Sequence, residues 1–166
     1  MSSSLTSGGS RRSVAAAVDI VIDNYNYGRF LADAVESALA QAHPATHVIV
    51  VDDGSDDDSL AVLERFGERI EVVAKANGGQ ASALNAGLER CRGDVVMFLD
   101  ADDFLRPGIA AAVAAAFAAN PAVVQVQYRL EVVDADGNPT GALNPPAHIA
   151  LPGGDLRRAK LTFPFD

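Results

Sequence analysis

The chain has 166 residues, 49% of them apolar and 21% charged, which fits one globular domain with a continuous core and excludes a disordered chain. A formal net charge of −9 sets its surface against phosphate backbones and anionic leaflets, so nucleic acid is not an expected partner. The single cysteine, Cys91, rules out an internal disulfide and suits a reducing compartment, so a cytoplasmic location is expected, peripheral to a membrane at most.

In chain order, the polar opening MSSSLTSGGSRRS (residues 1–13) reads as a mobile tail. It has no apolar signal segment, and the run from Val14 to Ile22 is too short, and broken by Asp19, to span a membrane. Beyond it, β-branched runs alternate with stretches of helical period. The strands are expected at Val18–Asp23, His47–Asp52, Ile70–Ala74 and Asp94–Asp100, with helices near Arg29–Ala42, Asp57–Phe66 and Gln80–Cys91. That alternation predicts an α/β fold, a Rossmann-like, doubly wound and mostly parallel sheet. A fourth helix is expected over Pro107–Ala119, opening on proline and burying Ile109, Val113 and Phe117. The pattern VVQVQYRLEVV over 123–133 predicts a longer, half-buried strand. The Asp134–Pro139 stretch reads as a hairpin turn; its glycine comes too early for a calcium loop, and a proline stands where the closing glutamate would be. A short helix is expected near Asp155–Leu161.

Acids mark the strand ends. The first strand ends in Asp23, the second in Asp52 and Asp53, and the fourth in Asp100, followed by Asp102 and Asp103. Parallel strands share a C-terminal edge, and ligands of open α/β sheets bind outside it where strand order reverses. With the first strand between the second and fourth, in the order 3-2-1-4, these carboxylates meet at one crevice. Like charges gathered at the rim of a core need compensation. A hard divalent ion, Mn²⁺ or Mg²⁺, supplies it by taking one or two carboxylates together with water and substrate phosphates. Carboxylates can also accept hydrogen bonds from a base or a ribose.

The other candidates are weighed residue by residue. Asp56, Asp57 and Asp58 read as a solvated face, with Ser55 or Asp56 capping the next helix. Asn77-Gly78-Gly79 opens a helix without the order of a dinucleotide or P-loop motif, yet would let backbone N–H groups approach a bound group. Lys75 either balances phosphate charge or is simply an exposed lysine. In Asn24-Tyr25-Asn26-Tyr27, a nucleobase could stack on Tyr25 and bond to Asp23, whereas Tyr27 reads as a lid on the core. His43, His47 and His148 form no ligand spacing and are read as structural.

Four segments in order, VDIVIDNYNYGRFLADAVESALAQ at 18–41, VIVVDDGSDDDS at 48–59, NGGQASALNAGL at 77–88 and GDVVMFLDADD at 93–103, resemble a family 2 glycosyltransferase of the GT-A type. The resemblance implies that residues 14–166 form a nucleotide-sugar-binding domain, cut short on the acceptor side. It implies metal-dependent transfer of a sugar from a nucleoside diphosphate sugar, a UDP-sugar by preference, to an acceptor hydroxyl with inversion. It places Asp23 at the base, Asp53 at the uracil edge with Asp52 beside it, and Lys75 and Asn77 near base and diphosphate. Asp100-Ala101-Asp102 is similar to the family's DXD signature for ribose and metal, extended by Asp103. No catalytic base stands out after Asp103; Asp155 and Asp166 qualify by residue type alone. The alternative function is a nucleotide-binding module without chemistry. A phosphoacceptor receiver domain fits poorly, since Asp23-Asn24 is not an acid pair and no matching lysine follows the last strand.

Overall fold

The structure is a computed structural model that describes residues 16–151 except 44–45 and 135–136. The expected tail and the helix near Asp155–Leu161 lie outside the described residues. The described chain forms two compact units, divided between Ala122 and Val123.

The first unit holds β1 (Val18–Asn24), α1 (Gly28–Leu39), β2 (Thr46–Asp52), α2 (Ser59–Glu64), β3 (Glu71–Ala74), α3 (Gln80–Leu88), β4 (Val95–Asp100) and α4 (Ile109–Ala119). A short 3₁₀ turn over Gly67–Arg69 leads into β3. The sheet runs β3-β2-β1-β4 with every pairing parallel, the order under which the acids at the strand ends meet. Central strands of such a sheet are covered on both faces and so carry unbroken apolar runs. Accordingly, Ile20, Val21, Ile22, Ile49, Val50 and Val51 are fully buried. The edge strands β3 and β4 instead alternate between covered and open positions.

Helix α1 buries Leu31, Ala34, Val35 and Ala38, one stripe at helical spacing. On the opposite face, Ala83 of α3 packs with Val21, Ile49 and Val51. Its Gly87 is needed for that approach, because a Cβ there would lie 2.3 Å from Val21 Cγ1.

Helix α4 departs from expectation at its start. It begins at Ile109, after Gly108 in the left-handed region (φ 84°), so Pro107 precedes the helix and does not open it. Its buried positions are Ala110, Val113 and Ala114, an i, i+3, i+4 set, while Ile109 and Phe117 are half-buried at its margins.

In the second unit, β5 (Leu130–Val133) pairs antiparallel with β6 (Pro139–Asn144). Of the expected 123–133 strand only Leu130–Val133 forms, with Leu130, Glu131 and Val133 paired across a register shift, because a strand persists only where a partner takes up its backbone groups. The connecting turn closes by Asp134 N–H to Asn138 O at 2.9 Å and Asn138 N–H to Asp134 Oδ1 at 2.9 Å, the hairpin expected there. No helix among the described residues is long and apolar enough to cross a membrane.

Candidate functional site

The C-terminal ends of β1, β2 and β4 and the start of α3 enclose a cleft of about 450 Å³, all within the first unit. Of the residues expected at a site, Asp23, Tyr25, Asp53, Asn77, Asp100 and Asp102 line it. Parallel pairing sets Asp23 directly beside Asp100, so the two carboxylates share one face of the sheet. Burial, and then the charge of Asp100, push the Asp23 carboxyl up to about 6, against an opposing contribution from Gln80. Asp23 Oδ1 is buried without a hydrogen-bond partner, while Gln80 Nε2 donates to Asp100 Oδ1 at 3.1 Å. Asp102 is exposed at the turn that follows β4.

Three candidates stand elsewhere. Asp52, 1% exposed, faces inward: its carboxylate accepts from Asn24 Nδ2 at 2.8 Å and from the Ser55 N–H at 3.0 Å, closing the turn out of β2. Successive strand residues point to opposite faces, so Asp52 and Asp53 cannot both turn the same way. Lys75 does not line the cleft; its ammonium pairs with Asp53 and donates to Ala76 O at 2.8 Å. Asp103 also lies outside the lining, half-buried, with its N–H on Asp100 O at 3.0 Å. Burial raises its carboxyl above the ordinary range, reinforced by the charges of Asp102 and Asp100.

The structure adds Asn24, Gly79 and Gln80 to the lining, and Tyr27 as well. Tyr27 is 45% exposed, stands 6.1 Å from the Phe30 ring and borders the cleft, which corrects its reading as a lid on the core. Its only sequence signal was the alternating YNY pattern, which a surface loop shares. The acidic run after β2 is also more than a solvated face. Asp57 accepts from the Gly28 N–H at 2.9 Å and from the Ser59 N–H at 2.9 Å, serving the starts of both α1 and α2. Ser55, expected as a helix cap, instead accepts from Asn24 Nδ2 at 3.1 Å and from the Asn26 N–H at 2.9 Å.

No group of three His, Cys, Asp or Glu side chains among the described residues is placed to hold a metal by itself. The donor set still suits an ion that completes its shell from water and phosphate: Asp100 and Asp102 face the same cleft, beside the partnerless oxygen of Asp23.

The family model described as Glycosyl transferase family 2 matches residues 19–160. The chain belongs to glycosyl transferase family 2. An uncharacterized glycosyltransferase of Nostoc sp. (strain PCC 7120) is 39% identical over 121 residues, covering 70% of this chain and 37% of that protein. Among solved structures, S. aureus TarS 1-349 in complex with UDP-GlcNAc aligns at 27% identity and a TM-score of 0.53, over 61% of this chain and 30% of that one. A mannosyltransferase from Pyrobaculum calidifontis, in complex with GDP-Man and Mn²⁺, shares the fold at a TM-score of 0.58 and 24% identity, over 67% of this chain and 34% of its own. The α/β sheet of the first unit is therefore that of a GT-A glycosyltransferase. The chain spans about a third of the length of the curated relatives it matches.

Proposed function

We propose that the cleft holds the nucleoside diphosphate of a sugar donor, preferably UDP, and that this family 2 chain is the donor-binding part of a metal-dependent, inverting glycosyltransferase. The observation that carries this reading is the meeting of Asp23, Asp100 and Asp102 from two strands with Tyr25 in one cleft at the carboxyl edge of the sheet. A purely structural acidic patch would not need an aromatic ring, half-exposed, beside it. The nucleotide complexes of the TarS and Pyrobaculum relatives are consistent with the reading.

In this arrangement the base stacks on Tyr25, 47% exposed, and Asp23 takes a hydrogen bond from the base or ribose. Asn77 and Gly79 also line the cleft, and in this reading the diphosphate runs beside them. Asp100, oriented by Gln80, and Asp102 would hold Mn²⁺ or Mg²⁺, with Asp103 next to them in the turn after β4. The ion would neutralise charge that develops on the departing diphosphate. The sugar then passes to an acceptor hydroxyl, of a saccharide, lipid or protein.

Calorimetric titration of UDP, GDP and dTDP, each with and without Mn²⁺, tests the reading. At least one should bind, and at least tenfold more tightly with the ion; no binding by any of them refutes it. A panel of nucleotide sugars and acceptors then separates an enzyme, which turns over, from a binding module, which does not.

A further inference from the structure

On the donor reading above, we propose that Ser37 and Gln41, at the end of α1, are positioning residues: they anchor the far end of the acidic turn after β4 and so hold Asp102 at the cleft for the ion.

Neither side chain lines the cleft. Ser37 lies in the last turn of α1, and Gln41 follows that helix, only 7% exposed. A glutamine so buried needs partners for its amide, because an unpaired polar group there is costly. Gln41 Nε2 donates to Ser37 O and to Arg106 O, both at 3.1 Å, and its Oε1 accepts the Ala110 N–H at 3.2 Å. Two carbonyls on one side and an N–H on the other fix which way the amide points. Ser37 O is among the last carbonyls of α1, and the Ala110 N–H is in the first turn of α4, groups that a helix cannot bond internally. One side chain thus joins the end of α1 to the start of α4. Ser37 makes a second tie: its Oγ donates to Ala34 O at 2.7 Å and accepts the Leu105 N–H at 2.9 Å.

The acidic turn is strung between these ties and the sheet. Asp100 is fixed on one side by its pairing with Asp23, and Leu105, buried, is fixed on the other by Ser37. Between them lie Ala101, Asp102, Asp103 and Phe104. Ala101 is buried too, and the Asp103 N–H donates to Asp100 O at 3.0 Å. So short a span, pinned at both ends, has few conformations to lose. A carboxylate held in place this way takes an ion without the entropic cost of first ordering its loop. Ser37 and Gln41 therefore act on the site through the backbone of residues 105–110, with no contact to nucleotide or ion.

Amide hydrogen exchange, read by NMR on the nucleotide-free protein, tests this together with calorimetry of UDP with Mn²⁺ and with a chelator. In the wild type the Leu105 and Ala110 amides should be protected, although one lies in a loop and the other in the first turn of a helix. In Ser37→Ala, exchange should quicken roughly fivefold or more at Leu105, and also at Asp103, whose N–H bonds Asp100 and not Ser37. With Mn²⁺ the Kd for UDP should rise about fivefold, and with the chelator it should stay within about twofold. Faster exchange at Leu105 alone, with Asp103 and the Mn²⁺-dependent affinity unchanged, marks a purely structural bond and overturns the proposal. An equal loss of affinity with and without the ion overturns it too, as do unprotected Leu105 and Ala110 amides in the wild type. Should Ser37→Ala fail to fold, Gln41→Glu, which keeps an acceptor for Ala110 and removes both donors, is read at Asp103 and in the Mn²⁺-dependent affinity. If the wild type binds no UDP, the donor reading falls, and exchange at Asp103 still decides whether the anchor sets the turn.

Discussion

Replacing Asp102 by alanine separates a cation-holding carboxylate from an acidic residue of no consequence. Asp102 is exposed in the turn after β4, so truncation opens no cavity in the core. It stands in a crowd of like charges, as the raised Asp103 carboxyl shows: burial comes first among its causes, then Asp102, then Asp100. Removing one of these charges relieves repulsion, and stability should stay within about 0.5 kcal/mol of the wild type or rise. With Mn²⁺ present, the variant on the proposed reading lacks one of the two carboxylates that would hold the ion. A charge-assisted contact contributes about 1.5–3 kcal/mol, so the Kd for UDP should rise roughly 10- to 100-fold. Without metal, the sign should reverse. A cleft with one fewer negative charge repels a diphosphate less, and metal-free UDP binding should be unchanged or slightly tighter. Isothermal calorimetry on both proteins, with Mn²⁺ and with a chelator, reads both signs, and thermal unfolding supplies the control. An equal loss with and without Mn²⁺ would refute the reasoning, and so would undiminished binding with Mn²⁺.

Three further outcomes follow from particular contacts. Tyr25→Ala should weaken every nucleoside diphosphate the protein binds by roughly 5-fold or more, since stacking on a base is worth about 1–3 kcal/mol, while Tyr25→Phe keeps the ring and the affinity; fluorescence or calorimetric titration checks both. Gly87→Ala should lower stability by about 1–2 kcal/mol in urea unfolding: the added methyl meets Val21 Cγ1 at 2.3 Å, and the overpacking exceeds the gain of about 1 kcal/mol in helix propensity. For Asp57, burial would raise the carboxyl, but the Ser59 hydroxyl and the Gly28 and Ser59 N–H groups hold it below the ordinary value of 3.8. A carboxyl lowered on folding stabilises fully above its unfolded value and loses that contribution as pH falls through its folded one. The urea midpoint of the wild type should therefore drop more steeply below about pH 4 than that of Asp57→Asn, by a modest amount because solvent screens an exposed site.

The sheet was legible in the sequence because burial on both faces leaves central strands like VDIVID and HVIVVD no polar alternation, and because a crossover between parallel strands needs a helix. The convergence of Asp23, Asp53, Asp100 and Asp102 followed from strand order alone, since parallel strands share an edge. Less was legible at the margins. The start of α4 moved because Gly108 takes a left-handed conformation that composition does not reveal, and the strand expected over 123–133 shrank to the residues that β6 pairs.

Which acid does what could be settled only in three dimensions. Asp52 and Asp53 are identical neighbours, yet one is buried against Asn24 and Ser55 while the other grips the loop before α3. Asp57 looked like one more solvated charge until the fold brought the start of α1 within its reach. The sequence by itself determined that carboxylates gather at one end of a parallel sheet. The tertiary structure decided which of them line the cleft and which bond the backbone, because a carboxylate's surroundings are the N–H groups and charges it meets, and those come from segments far away along the chain.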